Sequence, residues 1–203
     1  MIKAIFFDLD NTLIDFMEMK QKSCEAAIDA MKKAGLAIKK EKALKILFQL
    51  YSKYGIEHKE IFQKFLKKVN GKIDYRLVAH GIVAYRKIKE SSLVPYPNVI
   101  PTLAKLKKKY KLAIISDAPR MRAWLRLVTM QIDNYFDVVI TAADVRKTKV
   151  TAAPFRAALK ALKLKPEEVL MVGDRIERDI KPAKALHIKT CYARYGTKYL
   201  KKQ

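Results

Sequence analysis

The chain has 203 residues, enough for one substantial hydrophobic core, and half of them are hydrophobic, which excludes a disordered protein. Its net charge of +23 comes from 33 Lys and 10 Arg against 20 acidic residues, and the basic residues are spread along the whole chain. Proteins that recognise the edges of nucleic-acid bases rely mainly on Arg, whereas here Lys outnumbers Arg. The composition therefore favours a solvated lysine-rich surface over a specific nucleic-acid interface.

The first predicted element is a short apolar strand that runs into two carboxylates. Ile5-Phe6-Phe7 leads into Asp8, and Asp10 follows two positions later. Because side chains alternate along a strand, both acids are expected to project to the same side. Two carboxylates this close repel each other unless a cation lies between them, and Mg2+ prefers oxygen ligands. The stretch therefore favours a functional site, with an ordinary turn over residues 10–12 as the alternative.

Residues 16–91 carry the apolar spacing of four successive helices and no strand pattern. Gly35, Gly55 and Gly71 are expected to end the first three of these helices. The stretch from Ser91 to Pro97 then breaks the pattern. We therefore expect this part of the chain to be helical throughout.

From residue 99 onwards, predicted helices alternate with short apolar strands over 112–117, 136–141, 168–174 and 188–192. This alternation predicts an α/β fold, a Rossmann-like parallel sheet with helices on both faces. Ligands bind such sheets beyond the carboxyl ends of the strands. The polar residues at or near those ends are Asp8, Asp10, Ser116, Asp117, Asp144 and Asp174. Of these, Asp117 and Asp144 are expected to cap loops rather than to act in catalysis.

Several of these residues form a pattern that resembles the haloacid dehalogenase superfamily of hydrolases, of the phosphatase type (phosphoglycolate phosphatase-like). The pattern comprises Asp8-Leu9-Asp10-Asn11-Thr12, Ser116 after an apolar strand, a Lys, and Gly173-Asp174 with Asp179 five residues on. The helical segment lies where that family inserts a small cap. The resemblance therefore implies a core domain of residues 1–15 and 92–203 and an inserted all-helical cap domain of residues 16–91.

The resemblance also implies a role for each site residue. Asp8 would be the nucleophile that forms an aspartyl-phosphate, and Asp10 would protonate the leaving alcohol and then activate water. Asp8, Asp10 and Asp174 would bind Mg2+, Asp10 through its backbone carbonyl, while Asp179 would orient these groups without binding the metal. The phosphate would receive hydrogen bonds from Thr12 and Ser116.

The active-site lysine of the sequence pattern has two candidates. The family usually shows Lys, Pro, an acidic residue or Ser, and Pro, with Phe six positions after the Lys. Counting back from Phe155 selects Lys149 as the catalytic and phosphate-binding lysine, and Lys147 is a near competitor. Val150-Thr151-Ala152 replaces the proline-containing turn, which leaves the placement of the ammonium group open.

The resemblance implies a Mg2+-dependent phosphatase that hydrolyses a small phosphate monoester. One alternative is a 2-haloacid dehalogenase, although that enzyme lacks the second acid of the first motif. Another is a catalytically weakened phosphate-binding or regulatory protein on the same fold, as the altered lysine turn would allow. The cap would select a small phosphorylated metabolite, and its polar candidates are Lys20, Lys22, Tyr51, Tyr54, His58 and Arg86.

Cysteine content and hydropathy bear on location. Cys24 and Cys191 are too few for a disulfide framework, which favours a reduced, cytoplasmic setting. No apolar run approaches the roughly 20 residues that span a bilayer, and the apolar start is too short for a signal peptide. We expect no membrane partner, and the sequence makes no prediction of oligomeric state.

Overall fold

The computed structural model describes residues 1–197, and its centre is a parallel β-sheet. Its strands are β1 (Ala4–Phe7), β2 (Lys111–Ser116), β3 (Val138–Thr141), β4 (Val169–Gly173) and β5 (Lys189–Tyr192). Within this part of the chain the strands lie in the order β3-β2-β1-β4-β5, and every pairing is parallel. The predicted α/β fold with a parallel sheet is confirmed.

The central strand β1 is buried on both faces. Its side chains alternate, so Ile5 and Phe7 pack on one face of the sheet while Ala4 and Phe6 pack on the other. Phe7 lies opposite Ile114 of β2 and Val172 of β4. The residue after Phe7 therefore leaves the sheet in the middle of its carboxyl edge, between the ends of β2 and β4.

Helices cover both faces of the sheet, as the sequence predicts. The α-helices of the described chain are α1 (Phe16–Lys33), α2 (Lys40–Tyr54), α3 (Ile61–Asn70), α4 (Tyr75–Ser91), α5 (Val99–Lys107), α6 (Arg120–Thr129), α7 (Ala142–Val145), α8 (Ala153–Leu162) and α9 (Lys181–Ala185). Helices α5 and α6 pack on the face of Phe7, through residues such as Leu103 and Leu127. Helices α8 and α9 pack on the face of Phe6, through Phe155 and Ala183.

Shorter helical turns follow several strands and loops. A π-helix follows β4 at Ile176–Ile180, and 3₁₀ turns lie at Asp133–Tyr135, Lys149–Thr151, Pro166–Glu168 and Arg194–Thr197. None of the helices in the described chain is both long and apolar enough to span a membrane.

The chain divides into two compact units. One comprises Met1–Met17 and the chain from Leu93 onwards, and it contains the whole sheet. The other, Glu18–Ser92, is helical and contains no strand. Its core consists of the periodic apolar residues of its four helices, among them Leu47 and Phe65. Asp74 caps α4 because its carboxylate accepts hydrogen bonds from the backbone N–H groups of the first turn.

Candidate active site

A buried ion pair lies at the carboxyl end of β1. The Nζ atom of Lys149 is 2.5 Å from Oδ1 of Asp8 and 2.5 Å from Oδ1 of Asp179. Burial lowers the pKa of Lys149, but the two carboxylates outweigh this effect and raise the pKa above its usual value. Lys149 is therefore a cation at neutral pH. Of the two lysine candidates, the structure brings Lys149 to Asp8, whereas Lys147 is exposed.

Asp117 anchors the turn that carries Lys149. The backbone N–H of Lys149 donates to Oδ1 of Asp117 at 2.8 Å, and Arg178 holds the other oxygen of that carboxylate at 3.3 Å. Ala152 closes the turn with φ of 60°, and its N–H donates to the Lys149 carbonyl at 2.9 Å. A carboxylate thus restrains the turn in which the family usually has prolines. This is the loop-capping role expected for Asp117, and Asp144 similarly caps α7 through Thr141.

Three carboxylates converge beside Lys149. One oxygen each of Asp8, Asp174 and Asp179 lies within 4.8 Å of the others, and all three residues are buried. Within the described chain, neither carboxylate oxygen of Asp174 has a hydrogen-bond partner. Burial and the Asp179 charge raise the pKa of Asp174 to about 6. Burial raises the pKa of Asp8 well above its usual value. Lys149 opposes this rise, and the charges of the neighbouring acids Asp179, Asp174 and Asp10 add to it. Buried carboxylates at this spacing, with both oxygens of Asp174 unpartnered, fit a hard divalent cation such as Mg2+.

The side chain of Asp10 lies outside this cluster. Its Oδ2 atom is 2.7 Å from Nη1 of Arg126, and the Arg126 side chain is only 2 % exposed. No sequence motif points to a role for Arg126. A signal was nevertheless available: Ala123, Arg126, Leu127 and Met130 have the i, i+3, i+4, i+7 spacing of a buried helix face, and all four are buried.

The two predicted phosphate-binding hydroxyls are both buried at the carboxyl edge of the sheet. Thr12 Oγ1 donates to Oδ2 of Asp8 at 3.3 Å. Ser116 Oγ accepts the backbone N–H of Ala118 at 3.1 Å, which caps the turn after β2. Because Ser116 is the acceptor in that bond, its own O–H group remains able to donate to a phosphate oxygen.

The 3₁₀ turn Arg194–Thr197 supports the loop between Asp8 and Thr12. The hydroxyl of Tyr195 donates to the Thr12 carbonyl at 2.7 Å. A Cβ atom on Gly196 would lie 2.0 Å from the Asn11 carbonyl oxygen and 2.7 Å from Cβ of Asp174. Only glycine fits where these two backbones approach so closely, and no local sequence pattern indicates this contact.

Replacing Gly196 by Ala is expected to lower the free energy of unfolding by about 1–3 kcal/mol, because the new methyl group displaces the Asn11 backbone. Urea denaturation would measure this loss. Gly81→Ala is the control, because there the added Cβ meets the flexible end of Met31. Equal effects of the two substitutions would contradict a rigid approach at Gly196.

The polar candidates of the helical unit divide into one buried group and a set of exposed residues. Lys20 is buried; its ammonium donates to the Tyr85 hydroxyl at 2.9 Å and lies 4.0 Å from the centre of the Tyr51 ring. The exposed candidates are Lys22, Tyr54 and Arg86, with His58 half-buried beside Tyr54. Tyr85, which completes the Lys20 group, was not among the predicted residues.

Most of the chain matches one protein family. The family model for haloacid dehalogenase-like hydrolases covers residues 5–193. The chain belongs to this family. The resemblance inferred from the motifs, including the phosphatase type, is confirmed.

Relatives of this haloacid dehalogenase-like hydrolase include two archaeal proteins of one name. It is 38% identical over 187 residues to the glyceraldehyde 3-phosphate phosphatase of Methanocaldococcus jannaschii, covering 92% of this chain and 82% of the relative. It is 35% identical to the protein of that name from Methanothermobacter thermautotrophicus, covering 89% and 80%. A magnesium-bound structure of YfnB from Bacillus subtilis, described as a HAD hydrolase, shares the fold at 16% identity, with a TM-score of 0.70 over 94% of this chain and 88% of YfnB.

Proposed function

We propose that this chain is a Mg2+-dependent phosphatase that hydrolyses a small phosphorylated metabolite through an aspartyl-phosphate. The observation that carries the proposal is the buried group of Asp8, Lys149, Asp174 and Asp179 at the carboxyl end of the central strands. Glyceraldehyde 3-phosphate is the first candidate substrate, because the archaeal relatives are named for it. The helical unit Glu18–Ser92 would serve as the cap that selects the substrate.

In the first step, a carboxylate oxygen of Asp8 attacks phosphorus while the bond from phosphorus to the leaving oxygen breaks. Asp10 gives its proton to that oxygen, so the product leaves as an alcohol. Lys149 offsets the negative charge that builds up on the phosphoryl oxygens. The Ser116 hydroxyl donates to the same oxygens, and the Thr12 hydroxyl would do so on turning away from Oδ2 of Asp8.

In the second step, water attacks the phosphorus of the aspartyl-phosphate. Asp10, now a carboxylate, takes the proton of the attacking water. The bond from phosphorus to the Asp8 oxygen breaks, which returns Asp8 as a carboxylate and releases inorganic phosphate. The same residue therefore serves as acid and then as base.

The residues that would hold Mg2+ are Asp8 and Asp174, with the Asp10 carbonyl as a third candidate ligand. When bound, the cation would draw negative charge from the phosphoryl group and offset the repulsion among the carboxylates. Asp179, which accepts the N–H of Arg175 at 2.8 Å and contacts Lys149, would orient this group.

The two alternative functions, a 2-haloacid dehalogenase and a phosphate-binding protein, fit the site less well. A 2-haloacid dehalogenase needs no metal, so the unpartnered carboxylate of Asp174 counts against it. A catalytically weakened phosphate-binding protein was suggested by the altered turn after Lys149. The contact between Lys149 and Asp8 supports a working site instead.

The test is phosphate release from a panel of small phosphate monoesters, including glyceraldehyde 3-phosphate, with Mg2+ or with EDTA. The wild type is expected to turn over in Mg2+ only. Asp8→Asn is expected to lower kcat at least about 1,000-fold, because the amide is a poor nucleophile. Circular dichroism of this variant should match that of the wild type, because Asp179 still neutralises Lys149.

Phosphate release that survives in Asp8→Asn would overturn the aspartyl-phosphate mechanism. Halide release from 2-chloropropionate without metal would favour the dehalogenase. Tight phosphate binding without turnover would favour the binding protein.

A further inference from the structure

We propose that Arg126 is a positioning residue that holds the carboxylate of Asp10 in place for its two proton transfers. The inference rests on the proposed function, in which Asp10 exchanges protons with the leaving alcohol and with water. It adds a residue that lies on α6, more than a hundred positions away from Asp10 in the sequence.

Arg126 lies on the buried face of α6, although the interior of a protein is an unfavourable place for a guanidinium group. Ala123 and Leu127, its neighbours on that face, pack into the apolar core. Burying an unpaired charge is strongly unfavourable, and a Met or Leu side chain would fill the space without that penalty. The position therefore requires a partner for the charge, and Asp10 Oδ2 at 2.7 Å supplies it.

The guanidinium group is held from a second direction. Its central carbon lies 4.5 Å from the centre of the Phe16 ring, at the first residue of α1. This cation–π contact holds the guanidinium against the ring, and the bond to Oδ2 in turn restrains the rotation of the Asp10 carboxylate. Asp10 follows β1 by three residues on an irregular loop, so the strand itself does not fix this rotation.

The carboxylate also remains accessible. The Asp10 side chain is 24% exposed, whereas that of Arg126 is 2% exposed. Arg126 thus contacts Asp10 from within the protein, while the reacting oxygens would approach from the exposed side.

The test compares two substrates that differ in their need for an acid. A simple alkyl phosphate such as glycerol phosphate requires a proton on its leaving oxygen, whereas 4-nitrophenyl phosphate releases a stable anion. The quantity measured is kcat/KM, because it reports the steps up to departure of the leaving group. Arg126→Gln is expected to lower kcat/KM about 10- to 100-fold for the alkyl ester and less than about 3-fold for the aryl ester. Arg126→Lys should restore part of the alkyl activity.

Three controls separate positioning from stability. Arg120→Gln changes an exposed arginine of the same helix and should affect neither substrate. In an Asp10→Asn background, Arg126→Gln should lower alkyl activity no further, because the group that it positions is already gone. If Arg126→Gln fails to fold, kcat/KM of Arg126→Lys on the alkyl and aryl esters is compared with that of the wild type instead.

Equal losses on both substrates would show a structural role and overturn this inference alone. Losses that add to those of Asp10→Asn would overturn it as well. A wild type that hydrolyses no ester of the panel in Mg2+ would overturn the proposed function, and this inference with it.

Discussion

Replacing Lys149 by Met is expected to abolish turnover and to lower the free energy of unfolding by about 3–5 kcal/mol. Lys149 is the cation between the buried carboxylates of Asp8 and Asp179, at 2.5 Å from each. Without it, two negative charges face each other where water cannot solvate them. The nucleophile also loses the cation that opposes the rise in its pKa.

The stability loss should depend on pH in a defined direction. Removing Lys149 raises the folded-state pKa of Asp8 further above the unfolded value, so protonation favours the folded state. The variant should therefore be closest to the wild type at low pH and fall further below it as the pH rises. Urea denaturation at several pH values would measure this difference.

Lys147→Met is the matched control, because it removes the same charge two residues earlier from an exposed side chain. It should leave activity and stability near those of the wild type. A large loss in Lys147→Met together with a small one in Lys149→Met would assign the active-site lysine to Lys147.

Replacing Asp174 by Asn is expected to remove activation by Mg2+ and to lower phosphate release at least about 100-fold. Asp174 offers two buried oxygens that no other group in the described chain engages. An amide is neutral and offers only one oxygen. In a thermal melt, Mg2+ should therefore raise the Tm of the wild type and leave that of the variant unchanged.

In EDTA, the same substitution should stabilise the protein at neutral pH. Burial and Asp179 raise the pKa of Asp174 from 3.8 to about 6, so the metal-free folded state holds this proton more tightly than the unfolded chain. Stability is then lost as the pH rises through this range, and Asn removes the loss. The Tm of Asp174→Asn minus that of the wild type should grow between about pH 4 and pH 7.

Asp137→Asn provides a control of opposite sign. Burial opposes the ionisation of Asp137, but hydrogen bonds from Lys107 and the Leu112 backbone lower its pKa overall. Its contribution to stability is present above the unfolded pKa and lost as the pH falls, so the variant should be destabilised at pH 7. A Tm difference for Asp174→Asn that does not change with pH would contradict a buried, repelled carboxylate.

The strands and their carboxyl ends were predictable because buried parallel strands are short apolar runs that end abruptly in polar residues. The runs that end at Asp8, Ser116 and Asp174 illustrate this, since each lies on or beside one of the three central strands. The choice of Lys149 followed from its spacing to Phe155. Phe155 is buried in α8, so counting six residues back from it reaches the turn that precedes this helix and carries the lysine.

The remaining contacts depend on tertiary packing, which local sequence patterns do not encode. Arg126 meets Asp10 only because α6 lies on the face of the sheet next to the loop that follows β1. Gly196 touches Asn11 because two loops distant in sequence meet beyond the sheet. Asp117 was expected to cap a loop, but the group that it caps, the Lys149 backbone, lies 32 residues further along the chain.

The strand order has a consequence for synthesis on the ribosome. β1 pairs with β2 and β4, so Ala4 lies beside Lys111 and Val169. The helical unit Glu18–Ser92 has its own core and can fold soon after it leaves the exit tunnel. The first strand must wait for partners that are translated much later. Catalysis would then be the last property that the nascent chain acquires, because Asp174 follows the last of those partners.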